Sequence, residues 1–181
     1  MITTFAIHVE NKPGVLTRVS SLFRRRAFNI ESLTVGHTDR PGVSRMTIVV
    51  DTDELGARRI EAHLYKLVNV LRVENITQNP AVFRDLAMIK VSATAESRTH
   101  IMQLVDVFRA RVVDVAPDSL IIEITGTEDK IDGLLEVLRP YGVLEMVRTG
   151  RVAMSRGLRS TATQTEAVRI AEDDHNVFHS V

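Results

Sequence analysis

The chain reads as an α+β protein built from two ferredoxin-like βαββαβ units in tandem, each an antiparallel sheet carrying its helices on one face. Three observations predict this. Apolar spacing alternates between a two-residue and a 3.6-residue period in the order strand, helix, strand, strand, helix, strand. The whole order then occurs a second time, and short turn sequences separate the elements. With 181 residues, 44% of them hydrophobic, the chain is long enough for two small units with their own cores. Each would bury little surface alone, so association between units or between chains is expected.

The first unit opens with Ile2, Phe5, Ile7 and Val9 on a strand. Asn11-Lys12-Pro13-Gly14 is a turn that opens a helix, and Pro suits the start because its missing N–H has no intrahelical partner there. Val15, Val19, Leu22 and Phe23 form that helix's apolar face. Residues 29–37 and 44–51 are two strands joined by Asp39-Arg40-Pro41-Gly42. Ile60, Leu64 and Leu67 mark a second helix, and Val70, Leu71, Val73 and Ile76 a last strand. The pattern returns with a strand at 86–91, a helical stripe at Ile101, Leu104, Val105 and Phe108, and a strand at Val112, Val113 and Val115. A tight turn, 116–119, leads to a strand at 120–125. A helix at Ile131, Leu134, Leu135 and Leu138 and a strand at 143–147 close the unit. Phe23-Arg24-Arg25-Arg26 aligns by letter with Phe108-Arg109-Ala110-Arg111, and Asn29-Ile30 with Asp114-Val115. The expected division is 1–77, a linker over 78–85, a second unit over 86–150 and a tail over 151–181. The stretch from 157 reads as mobile, with spacing near Glu166–Ile170 that would suit a short helix.

Composition excludes several kinds of chemistry. There is no cysteine, so no disulfide, thiolate metal site or thiol nucleophile. Formal net charge is zero, which gives no reason to expect nucleic acid or a membrane as partner. No apolar run is long enough to cross a bilayer and no signal-peptide pattern opens the chain, so the cytoplasm is expected. His175 and His179 stand four apart but lack a third ligand, and no metal site is expected. A phosphate-binding glycine loop and a nucleophile elbow are both missing, and no acid–base set converges, so no catalytic residue is expected. Asp51, Asp53 and Glu54 suit the N-terminus of the second helix, and Arg24-Arg25-Arg26 the C-terminal end of the first. An RNA-binding module of this topology would want stacking rings on its sheet. Aromatics are only 4% of the chain and residues 44–51 contain none, so that reading is disfavoured.

One constellation is suited to a small ligand: Asn11, Lys12, Pro13, Gly14 and Val15 at the first strand-to-helix turn, with Asn29 and Ile30 where the next strand starts. Helix N-terminal N–H groups attract a carboxylate, Gly14 lets a ligand approach the backbone, and asparagines can meet an amino and a carboxylate group together. Val15, Ile30 and Val35 offer apolar surface. The two segments are expected to approach each other at one end of the sheet. A turn rich in Asn, Pro and Gly is also, more commonly, only a turn.

A resemblance sharpens this reading. The run from Ile7 to Leu16 (Ile-His-Val-Glu-Asn-Lys-Pro-Gly-Val-Leu), followed by Val19–Phe23, resembles the opening of an ACT domain, a small-molecule-sensing module. Residues 28–36, 41–49, 65–70, 86–91 and 145–150 resemble, in order and spacing, the small regulatory subunit of acetolactate synthase (acetohydroxyacid synthase). The likeness spans residues 2–157. It implies a non-catalytic chain that activates a large catalytic subunit and confers feedback inhibition by a branched-chain amino acid, usually valine, with leucine or isoleucine as alternatives. Another ACT-type amino-acid-binding regulator is the runner-up. The resemblance also implies that thiamine diphosphate, Mg²⁺ and FAD belong to the catalytic partner, with no cofactor on this chain. It implies homodimers through the ACT domains, with the effector at their interface. Asn11, Gly14, Val15, Asn29 and Ile30 fall on the family's effector-contacting positions. The second unit lacks the Asn-Lys-Pro-Gly turn and is expected to pack or dock without binding effector.

Overall fold

The computed structural model describes residues 1–157. The first unit comprises β1 (Ile2–Glu10), α1 (Val15–Arg25), β2 (Ile30–His37), β3 (Val43–Asp51), α2 (Glu54–Leu64) and β4 (Val70–Asn75). Its sheet has the order β2-β3-β1-β4 and is antiparallel throughout. The period-two alternation of β1 puts Phe5, Ile7 and Val9 on the helix side. There they join Val19, Phe23, Ile48, Ile60 and Leu64 in one core. Asp53 caps α2 by accepting from the Gly56 N–H at 2.6 Å. Arg24 and Arg25 fall in the last turn of α1, where its dipole favours cations.

The second unit comprises β5 (Ala81–Ser92), α3 (Arg98–Val107), β6 (Arg111–Val115), β7 (Ser119–Gly126), α4 (Glu128–Leu138) and β8 (Val143–Arg148), in the order β6-β7-β5-β8. Its core gathers Ile89, Val91, Ile101, Ile122, Leu134 and Leu138. Both expected units are present, and the hairpin between the middle strands is shorter in the second.

The letter-by-letter alignment of the two copies is out of phase. Ala27 and Arg109 are the two non-glycine residues with left-handed backbone, at φ 57° and 51°. Just beyond them, the Phe28 N–H donates to the Phe23 carbonyl as the Ala110 N–H does to that of Val105. The strands then bulge after Ile30 and after Val112. Asn29-Ile30 therefore matches Arg111-Val112, not Asp114-Val115. Phe23 matches Val105, not Phe108. A slip of three residues is nearly one helical turn, so it leaves the apolar stripe almost undisturbed.

The linker and tail also hold more structure than expected. The segment expected to link the units, 78–85, is strand from Ala81 onward, because residues 81–84 pair with a further strand, β9 (Val152–Ser155), from the expected tail. This ribbon lies on the helix-free face of the first sheet. Ala153, Phe83, Ala6 and Ile76 form a small core there. Arg151 reinforces it by accepting at its carbonyl from Thr34 Oγ1 (3.0 Å) and donating its N–H to Ser32 Oγ (2.8 Å). The Arg151 guanidinium pairs with Glu128 at 3.1 Å and lies over the Phe83 ring, so the same residue holds α4. Sequence periodicity misses these segments because four-residue strands carry too few alternations. The expected helix near 166–170 and the His175/His179 pair lie outside the described residues.

Candidate effector site

The first strand-to-helix turn is open. Gly14 precedes α1 with φ +82°, a left-handed conformation that glycine adopts without steric cost. A Cβ built on it meets nothing within 4 Å. No side chain caps α1 and no acidic residue occupies its first turn, so this end offers N–H groups and positive potential to an anion. Asn11, Lys12 and Pro13 are exposed beside it, while Val15 is buried and roots the helix in the core.

Polar contacts hold the turn from behind. Arg18 donates to Asn69 Oδ1 (2.5 Å), and Asn69 Nδ2 donates to Glu10 Oε2 (2.5 Å). Lys12 pairs with the same carboxylate at 3.1 Å. The Asn69 hydrogen bond, and after it Lys12, lowers the Glu10 carboxyl below its ordinary pKa. Asn11 Nδ2 lies 3.4 Å from His37 Nδ1 at the end of β2. Glu10, Arg18, His37 and Asn69 were not singled out from sequence. Their roles come from strand register, and nothing in their local spacing signals it.

The second half of the expected site is elsewhere. Ile30 pairs with Val50, and Val50 flanks Thr3, whereas His37 pairs with Ser44, which flanks Val9. Asn29 and Ile30 therefore sit at the opposite end of the sheet from Asn11, roughly 25 Å away at 3.3 Å per residue. The expectation that the two segments approach each other within one chain is corrected: β2 runs parallel to β1 across β3, so its start lies level with the start of β1. Asn29 is exposed and donates to Glu31 Oε1 at 2.5 Å. Glu31 lines a cleft of about 540 Å³ between the units, with Arg148 and Arg151 on its far wall.

The matching turn of the second unit is closed by its own side chains. Arg98 Nη2 donates to the carbonyls of Ala116 and Pro117, both at 2.8 Å, and of Ala93 at 3.3 Å. Thr94 and Ser97 satisfy each other's backbone N–H groups. Ala93, which stands where Asn11 stands, is fully buried. Among the described residues no group of His, Asp and Glu is arranged to hold a metal, and no helix is long and apolar enough to cross a membrane.

Two family models divide the chain along these lines. Residues 5–72 match the acetohydroxyacid synthase small subunit-like ACT domain, and residues 84–157 match the small subunit of acetolactate synthase. The chain belongs to the acetolactate synthase small subunit family. The acetolactate synthase small subunit of Mycolicibacterium smegmatis is 50% identical over 156 residues, covering 86% of this chain and 92% of that one. The Bacillus subtilis small subunit is 44% identical over 163 residues, covering 90% and 95%. The crystal structure of the Thermotoga maritima acetolactate synthase small subunit superposes with a TM-score of 0.82 at 41% identity, over 87% of this chain and 99% of that one. The open turn at Asn11–Gly14 thus belongs to the ACT domain of a small subunit, and the closed turn to the family's C-terminal unit.

Proposed function

We propose that this chain is the regulatory subunit of an acetolactate synthase: it activates a large catalytic subunit and makes it sensitive to feedback by valine. Catalysis, with thiamine diphosphate, Mg²⁺ and FAD, belongs to that partner, and the cytoplasm is where the pair works. The observation that carries the reading is the contrast between the turns. Neither helix has a side-chain cap, but the turn at Gly14 is open and lined by an exposed asparagine, whereas Arg98 ties its counterpart to the carbonyls of Ala116 and Pro117.

The separation of Asn11 from Asn29, roughly 25 Å at the rise of a strand, supports a pocket shared between two copies. β2 is an edge strand. If two β2 edges pair antiparallel, the start of one strand lies beside the end of the other, which brings Asn29 and Ile30 of one copy to Asn11 and Gly14 of its partner. In this arrangement the α1 N-terminus and Asn11 take the effector's carboxylate and amino groups, and Ile30 and Val35 its aliphatic side chain. An effector at that seam favours one pairing of the ACT sheets, and the catalytic subunit favours another. By linkage, each weakens the other's binding by the same factor.

Calorimetric titration of the dimeric chain with L-valine, L-leucine and L-isoleucine tests this. Valine should bind saturably, and Gly14→Asp, which sets a negative charge against the carboxylate, should abolish the heat. Unchanged valine binding by Gly14→Asp, or no heat with any of the three from a dimer verified by light scattering, overturns the assignment.

A further inference from the structure

On the other side of the first sheet, away from both helices, lies a cleft of about 390 Å³ between the ends of β1, β3 and β4 and the ribbon strand β9. Its floor is basic. Arg45 of β3 and Arg72 of β4 flank His8 of β1, through the pairings His8–Arg45 and His8–Arg72. Glu74 is the acid facing them, and it is engaged: Arg72 lies 3.2 Å from one oxygen, and Ser155 of β9 donates to the other at 2.7 Å. Asp39 stands exposed at the rim with His37.

Glu74 also acts on Arg45 electrostatically, but Arg45 makes no direct ion pair among the described residues, and its Nε is buried with no acceptor. The His8 Nδ1 is likewise buried and unpartnered. Burial, and then the neighbouring Arg45 and Arg72 charges, lowers the His8 pKa; Glu74 opposes them, and Arg40 adds to them. Half-buried guanidinium and imidazole groups without partners are costly, and an anion is what satisfies them. The planar fork of an arginine suits a carboxylate or a phosphate bidentately.

We propose that the cleft floored by His8, Arg45 and Arg72 and closed by Ser155 is a binding site for a small carboxylate- or phosphate-bearing anion. The cleft opens on the helix-free face and uses none of residues 11–15, although His37 at its rim lies 3.4 Å from Asn11. Its occupancy would bear on how β9 is seated. An anion bridging the two arginines competes with Glu74 for Arg72, and Glu74 is the residue that holds Ser155.

The test titrates the full chain with inorganic phosphate and, in a second arm, with succinate, at constant ionic strength. Binding is read by calorimetry and by the imidazole resonances of ¹⁵N-histidine-labelled protein. At least one anion should bind saturably and shift His8 while leaving His63 of α2 in place. Arg45→Gln should weaken that binding at least tenfold, whereas Arg59→Gln on α2 should leave it unchanged. Tighter phosphate binding assigns a phosphate-bearing ligand, and tighter succinate binding a carboxylate; both support the site. The proposal fails if neither anion saturates, if Arg45→Gln binds as tightly as the unaltered chain, or if His63 moves in step with His8. Should Arg45→Gln not fold, the histidine shifts of the unaltered chain decide.

Discussion

The two βαββαβ units of this chain share strand order, bulge positions and the left-handed residue after the first helix, yet they use their surfaces differently. Ala6 and Met88 occupy the same place on the central strand, facing away from the helices and paired with Glu74 and Val147 respectively. Ala6 is fully buried under the β5–β9 ribbon, whereas Met88 is 41% exposed. At the first turn the relation inverts: the first unit is open at Gly14 and the second is plugged by Arg98. A repeated topology therefore fixes only the helix-side core. The turn and the opposite sheet face are free to diverge, and the function is carried there.

The largest effect expected is in the shared core, where the units should behave alike. Ile60 and Leu134 hold equivalent places on α2 and α4 and are fully buried. Truncating either to alanine should cost about 2–5 kcal/mol in urea unfolding. If one truncation is nearly neutral, the cores are not equivalent. Next comes the junction between the units. A Cβ on Gly150 would lie 2.4 Å from Ser32 Oγ and 3.2 Å from the Leu33 backbone. Gly150→Val should cost about 1–3 kcal/mol by overpacking, whereas Gly36→Val, where the added Cβ meets nothing and the backbone is not left-handed, should not disturb the junction. Hydrogen exchange at Thr34 and Ala153 reports which contact opens.

A smaller effect separates the second helices. Asp53 caps α2 through its side chain, while Thr127 before α4 makes no such bond. Asp53→Ala should cost about 1 kcal/mol and Thr127→Ala distinctly less, measured by thermal unfolding. The smallest expected effect is on pH dependence. His8 has a lowered pKa in the folded chain, so below about pH 6.5 the unfolded chain binds a proton that the folded one does not. Stability should thus decline as the pH falls through that value and level off below the folded pKa. His8→Gln should flatten this dependence. The second unit has Lys90 in place of a histidine here, so Lys90→Gln is the control that should leave the slope unaltered.

Much of this was legible in the chain itself. The alternation of Phe5, Ile7 and Val9, the stripe of Val15, Val19, Leu22 and Phe23, and their return in Ile89, Val91, Ile101 and Val105 determine two βαββαβ units, because apolar spacing reports which face an element buries. The Asn11–Gly14 turn was legible too, since a turn between a strand and a helix is a local event. What the tertiary structure alone decided is distance and company. Asn29 stands an entire strand away from Asn11 because β2 lies beyond β3 and parallel to β1, a matter of register that no local spacing records. Four residues after Arg151 became a strand because residues 81–84 were there to pair with them. His8, Arg45 and Arg72, 27 and more positions apart in sequence, share one cleft because antiparallel pairing sets them side by side. Side-chain periodicity is a property of one segment, whereas pairing is a property of two, and the second is fixed only when the chain folds.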